Sequence, residues 1–221
     1  VIFEGLVSRL WYACEVADPV KRRATYQDVL DAPEHLVAEI IGGELRLSPR
    51  PGGPHTVATS RLGYLLGPPF DLGSGGPGGW IILDEPELHL GEDIVVPDLA
   101  GWRRERLTVV PGGAFFTLAP DWICEALSPS TAVHDRSEKL PIYATAGVRH
   151  VWLVDARQRS LEVLRLHDGK WLIVDVHRGD VRVRAEPFDE IELDLAALWR
   201  DSTPLPLGTR ASEYGAEYVT K

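Results

Sequence analysis

The spacing of apolar and polar positions changes from segment to segment along the chain, and each spacing predicts a different element. Residues 25–35, TYQDVLDAPEH, predict a short helix with Thr25 as N-cap, ending before Pro33 because the residue ahead of a proline is pushed out of the helical region. In 37–49 two apolar runs flank Gly42-Gly43, the pattern of a β-hairpin. Pro54 opens a predicted helix through 55–66, where Val57, Leu62, Leu65 and Leu66 recur at roughly helical spacing. The glycine-rich 71–79 reads as a loop and lacks the Gly-Lys-Ser/Thr ending of a phosphate-binding loop. Strands are predicted at 80–90, 94–102 and 121–128, with a surface connection over 103–116. A helical segment follows over 131–147 and stops at Gly147. Pro141 lies inside it; an interior proline costs about 3 kcal/mol, so a kink or two abutting helices are expected.

The last third is strand-rich: 150–156, 160–177 turning at Asp168-Gly169, and 181–195. This order of elements predicts an α/β or α+β fold, a mixed β-sheet flanked by helices with an N-terminal β-hairpin and a C-terminal strand meander. The expected division is a leader or upstream extension over 1–23, one domain over 24–200 and a C-terminal tail over 201–221. The chain contains no methionine, and Val16 is a candidate alternative start codon read literally.

Two acids interrupt otherwise apolar strands. In 94-IVVPDLAGW-102 a proline removes a ladder donor just before Asp98, which places that point at a strand end or edge. In 121-DWICEALS-128, Trp122, Cys124 and Ala126 share one face, and Glu125 shares the other with Ile123 and Leu127. An unpaired carboxylate in such a setting is costly unless a metal, a cation or a proton relieves it. A divalent cation such as Mg²⁺ or Mn²⁺ held by both acids would satisfy them together, because hard cations prefer oxygen.

Charge sharpens this picture. Lys and Arg total 23 against 33 Asp and Glu, a formal charge of −10, which argues against broad affinity for polyphosphate surfaces and favours a cation at any phosphate-facing site. The two cysteines, Cys14 and Cys124, lack metal-ligand spacing and suit a reduced, cytoplasmic protein. No apolar run reaches the ~18–20 residues that cross a bilayer, and the apolar start carries Glu4 and Arg9, unlike a signal peptide.

The order Pro-Asp in one strand and Glu in the next resembles the PD-(D/E)xK nuclease superfamily, although Leu127 stands where that pattern usually has its lysine. The run Glu125, Leu127-Ser128-Pro129-Ser130-Thr131, Asp135-Arg136, Lys139, Tyr143, Gly147-Val148 and 151-VWLVD-155 resembles the Uma family of restriction endonuclease-like proteins. The upstream 39-EIIGGELRLSPRP-51 and His55 match its opening, and the likeness spans roughly 24–199. It implies a restriction endonuclease-like fold and a metal-dependent endonuclease acting on DNA, with Mg²⁺ or Mn²⁺ as cofactor. Asp98 and Glu125 would be metal ligands, the Ala126 carbonyl a third. Lys139, displaced to the following helix, would orient or deprotonate the attacking water. Glu44, His55, Asp84 and Tyr143 are second-tier site residues. Cutting two strands suits a homodimer.

Singly, each residue has a plainer reading. Asp98 fits a Pro-Asp turn, Glu125 an ion pair with Arg136 or Lys139, Lys139 a solvated helix position, and His55 a loop hydrogen bond. His134 and Glu138 lack the second histidine of a zinc motif. Asp84, Glu85 and Glu87 fit a solvated strand edge, although Asp84 could approach the metal. Ser128 and Ser130 lack a nucleophile elbow and suit helix capping, with Ser130 or Thr131 as N-cap. Two further functions remain open: a catalytically silent nuclease-fold module that binds nucleic acid or a protein, and a metal-dependent hydrolase of a small anionic substrate.

Overall fold

The computed structural model describes residues 22–50, 52–128 and 131–202. The expected leader up to residue 21, Cys14, Val16, Ser130 and the tail from residue 203 lie outside the described residues.

Helix α1 (Tyr26–Leu30) starts at Thr25, whose backbone N–H and hydroxyl both donate to the Asp28 carboxylate. Strands β1 (Leu36–Ile41) and β2 (Glu44–Pro49) form the expected hairpin. Its two-residue turn needs positive φ at both positions, supplied by Gly42 at 61° and Gly43 at 82°. Helix α2 (Gly53–Leu66) carries Pro54 in its first turn and runs into a π-type turn at Gly67–Asp71.

The two next predicted strands each break in half. Residues 80–90 become β3 (Trp80–Asp84) and β4 (Leu88–Leu90), and 94–102 become β5 (Asp93–Val95) and β6 (Leu99–Arg103). Pro86 and Pro97 sit at the breaks, where a ladder donor is missing, and Glu85 bends the first break at φ 44°. The halves then enter different sheets. One has the order β2-β1-β5-β4. The other has six strands, adding β7 (Trp122–Ala126), β8 (His150–Asp155), β9 (Ser160–His167) and β10 (Lys170–Arg178) in the order β10-β9-β8-β7-β6-β3. Asp98 therefore lies on the link between the two sheets.

Within the larger sheet β7 and β8 pair parallel and the other neighbours antiparallel. Parallel neighbours need a long crossover, here the helical segment α3 (Ala132–His134), a π-type turn at Asp135–Lys139, and α4 (Leu140–Ala146). The short pieces answer the expectation raised by Pro141. The widened turn ahead of it accommodates a residue with no N–H to give, and Gly147 closes the segment at φ 78°.

The expected strand 181–195 is a correction. It survives only as the two-residue β11 (Arg182–Val183) and β12 (Leu193–Asp194), and α5 (Ala196–Trp199) follows. The residues between fold inward around Phe188, whose ring lies 4.7 Å from Phe70 and Trp80 and 4.9 Å from Trp122. Aromatic packing here outweighs strand propensity.

The two faces of β7 belong to different cores, as alternation requires. Trp122 and Cys124 join the layer containing α2, α5 and Phe188. Ile123 and Leu127 join the layer beneath α4 and the smaller sheet, and Glu125 is set into that second, apolar face. Among the described residues no helix is long and apolar enough to cross a membrane.

Candidate active site

Glu125 is 3% exposed, deeper than its strand pattern alone suggested. The Lys139 ammonium reaches its Oε1 at 2.8 Å, and the Tyr143 hydroxyl donates to the same oxygen. Among the described residues Oε2 receives neither bond, because both fall on Oε1. Of the two structural partners considered, Lys139 is the one found; Arg136 turns to Glu162 at 2.9 Å instead.

Lys139 has two further acceptors, the Val96 carbonyl at 3.2 Å and Glu39 Oε1 at 3.1 Å. Three acceptors match the three donors of an ammonium group. Its position follows from the backbone: the π-type turn ends at Lys139, and one turn on, α4 presents Tyr143 to the same carboxylate. Glu39 lies on β1, its Oε1 also taking the Val96 N–H at 2.8 Å. The lysine thus bridges the two sheets.

Electrostatics follow from burial. Desolvation works to lower the Lys139 pKa, but Glu125, Glu39 and Asp135 outweigh it and raise it well above the ordinary lysine value. The side chain is an ammonium at neutral pH. Desolvation pushes the Glu125 carboxyl well above the usual carboxylate range against the pull of Lys139. Asp135, on the same turn, is raised to about 6, by burial first and against the attraction of Lys139.

Asp98 stands beside this cluster. Its Oδ2 accepts the Ala126 N–H at 2.7 Å, and its Oδ1 lies 3.2 Å from Nε2 of His55 on α2. Burial lowers the His55 pKa, but Asp98 and the Ala126 carbonyl raise it further, for a net rise. His55 Nδ1 is buried with no hydrogen-bond partner among the described residues. Asp98, His55, Ala126, Glu125 and Lys139 all line one cavity of about 270 Å³.

Glu44 and Asp84 lie away from that cavity wall. Glu44 pairs with Ile41 on the edge strand of the smaller sheet, two residues beyond Glu39 on the same face, about 7 Å along the hairpin. It faces Arg46 at 3.4 Å. Asp84 closes β3 opposite Leu99, and its pKa is raised by burial and then by Asp98. Glu85, read as a solvated edge residue, lines the cavity and pairs with Arg50 at 3.1 Å. His134 and Glu138 form an ion pair at 3.2 Å, and Thr131 takes the N-cap position with its hydroxyl turned to Ser128.

Sequence reading passed over Glu39 and Asp135. Glu39 carried a usable signal, alternating with Ile41 on the strand face that becomes core. Asp135 stands four residues before Lys139, a spacing that puts both on one helical face.

Asp98, Glu125 and Ala126 line the same cavity, and their carboxylate and main-chain oxygens are the hard donors that Mg²⁺ or Mn²⁺ would need. Among the described residues no three His, Cys, Asp or Glu side chains converge to cage an ion unaided. An ion held by two acids and completed by water and phosphate oxygens is the usual Mg²⁺ arrangement.

A mixed sheet with a lysine and acids gathered at its parallel pair defines a nuclease-like α+β fold. A crystal structure from Anabaena variabilis, described as a putative nuclease, shares it: the TM-score is 0.63 at 23% identity, covering 80% of this chain and 98% of that one. No curated protein matches. The model of the Uma2 family, described as "putative restriction endonuclease", matches residues 24–196, and the chain belongs to that family.

Proposed function

We propose that the protein is a divalent-metal-dependent endonuclease that hydrolyses phosphodiester bonds in DNA. The observation that carries this reading is a buried ammonium, Lys139, held against Glu125 at 2.8 Å on the wall of the cavity that Asp98 also lines. Asp98, Glu125 and the Ala126 carbonyl would hold the ion. Bound Mg²⁺ or Mn²⁺ would lower the pKa of a coordinated water and neutralise charge on the phosphate oxygens.

The chain's own groups supply the rest. Lys139, kept protonated, stabilises charge on the scissile phosphate through its field rather than taking a proton from the water. Tyr143 fixes the rotamer of Glu125, and His55 fixes that of Asp98. Asp135, with its pKa near 6, is matched to receiving the proton that water loses.

The test is nicking of supercoiled plasmid in Mg²⁺ and in Mn²⁺. Asp98→Ala, Glu125→Ala and Lys139→Ala should each lower the rate by about a hundredfold or more. Cleavage that survives all three substitutions would place the activity elsewhere and overturn the reading.

One observation favours a second reading, a nuclease-fold module that binds without cutting: the three donors of Lys139 are all spent on its own cage. Duplex binding with no cleavage in either metal would select it.

A further inference from the structure

The cavity wall is rich in negative charge. Glu39, Glu85, Asp98, Glu125 and Asp135 all line it, in a chain that already carries a formal charge of −10. A polyanionic strand approaching these acids needs cations of its own. Lys139 is spent on Glu125, Glu39 and Val96, and His55 is turned to Asp98. Two arginines also line the cavity, Arg50 and Arg157, and they come from different sheets.

They are not equivalent. Arg50, at the end of β2, gives its guanidinium to Glu85 at 3.1 Å. Arg157 sits in the turn joining β8 to β9. The Asp155 side chain shapes that turn, its Oδ1 accepting the backbone N–H groups of Arg157 and Gln158 at 2.9 Å each. That contact spends the backbone of Arg157 and leaves its side chain free. Among the described residues the Arg157 guanidinium has no ion pair and no hydrogen bond. It is half-buried at the end of the strand that runs parallel to β7.

We infer that Arg157 is a positioning residue that grips a backbone phosphate of the DNA strand, away from the bond being cut, and holds that strand in register over Asp98 and Glu125. This rests on the nuclease reading above and adds the contact by which an acidic protein retains an anionic substrate. A planar guanidinium presents several donors in a fixed fork that fits a phosphate, and a free one surrenders no partner to do so. Arg50 must first leave Glu85, so its net contribution is smaller.

The experiment measures binding of a fluorescent 20-base-pair duplex by anisotropy across a salt series, without metal and then with Mg²⁺. Wild type is compared with Arg157→Ala, Arg157→Lys and Arg50→Ala, and thermal melting of each variant reports folding. Arg157→Ala should weaken binding roughly tenfold at low salt and flatten the log–log salt slope by about one. Arg157→Lys should restore the slope but not the full affinity, because the charge returns without the fork. Arg50→Ala should lose less than Arg157→Ala. In nicking assays Arg157→Ala should raise KM more than it lowers kcat.

If wild type binds and Arg157→Ala keeps both its affinity and its slope, the inference is overturned and the nuclease reading stands. If wild type binds no duplex under either condition, both fall together.

Discussion

Replacing Lys139 with methionine keeps most of the side-chain volume and removes the charge. Glu125, 3% exposed, and Glu39, 8% exposed, would then face each other with no cation between them. Breaking a buried ion pair from one side costs about 3–5 kcal/mol, since the remaining charge keeps its desolvation penalty and loses its compensation. In a domain of this size that amounts to a fall in Tm on the order of 10 °C. Thermal unfolding at pH 8 with a chelator present measures it. The loss should shrink as the pH is lowered towards 5. Burial already raises the Glu125 pKa in the folded state, and a carboxyl raised in this way loses stability as pH increases and regains it on taking up a proton. The double variant Lys139→Met/Glu125→Gln should recover part of the loss by removing the orphaned charge. A Lys139→Met protein melting within about 2 °C of wild type at pH 8 would refute the reasoning, because the ammonium would then not be the counter-ion of Glu125.

Asp135 gives a pH test of opposite sense. Its rise from 3.8 to about 6 corresponds to about 3 kcal/mol of strain once it is ionised, absent below pH 4 and complete above its folded pKa. Asp135→Asn should therefore raise Tm at pH 8 and leave it nearly unchanged at pH 4, as read by calorimetry at both values. Mn²⁺ at a hundredfold excess over its dissociation constant should stabilise the wild type by about 2.7 kcal/mol; Glu125→Ala and Asp98→Ala should abolish the shift, and a shift retained by both would move the ion elsewhere. At Gly76 an added Cβ would lie 2.4 Å from Pro69 Cβ and 2.7 Å from its carbonyl oxygen. Gly76→Ala should cost roughly 1–3 kcal/mol by denaturant unfolding, although the residue does not line the cavity.

Much of the fold could be read from local rules. The Thr25–Asp28 capping box, the Gly42-Gly43 hairpin, Pro54 in the first turn of α2 and the αL stop at Gly147 each depend on residues within a few positions, so sequence alone determines them. The alternation of β7 likewise determined that Glu125 would share a buried face with Ile123 and Leu127. The departure of 181–195 from a strand meander is not legible locally, because what draws Phe188 inward is a set of rings from the π-type turn after α2 and from β3, β7 and β8, remote in sequence.

What only tertiary structure decided is which charges meet. The breaks at Pro86 and Pro97 send the halves of two predicted strands into different sheets; the prolines mark where each run can break, but not which sheet each half joins. That division puts Asp98 on the link between sheets, brings β1 alongside β5, and so delivers Glu39 rather than Glu44 to Lys139. Local sequence sets backbone conformation and face, because both arise from near neighbours along the chain. The partner of a buried charge is set by packing across elements, because Coulomb and desolvation energies depend on distance and burial in space.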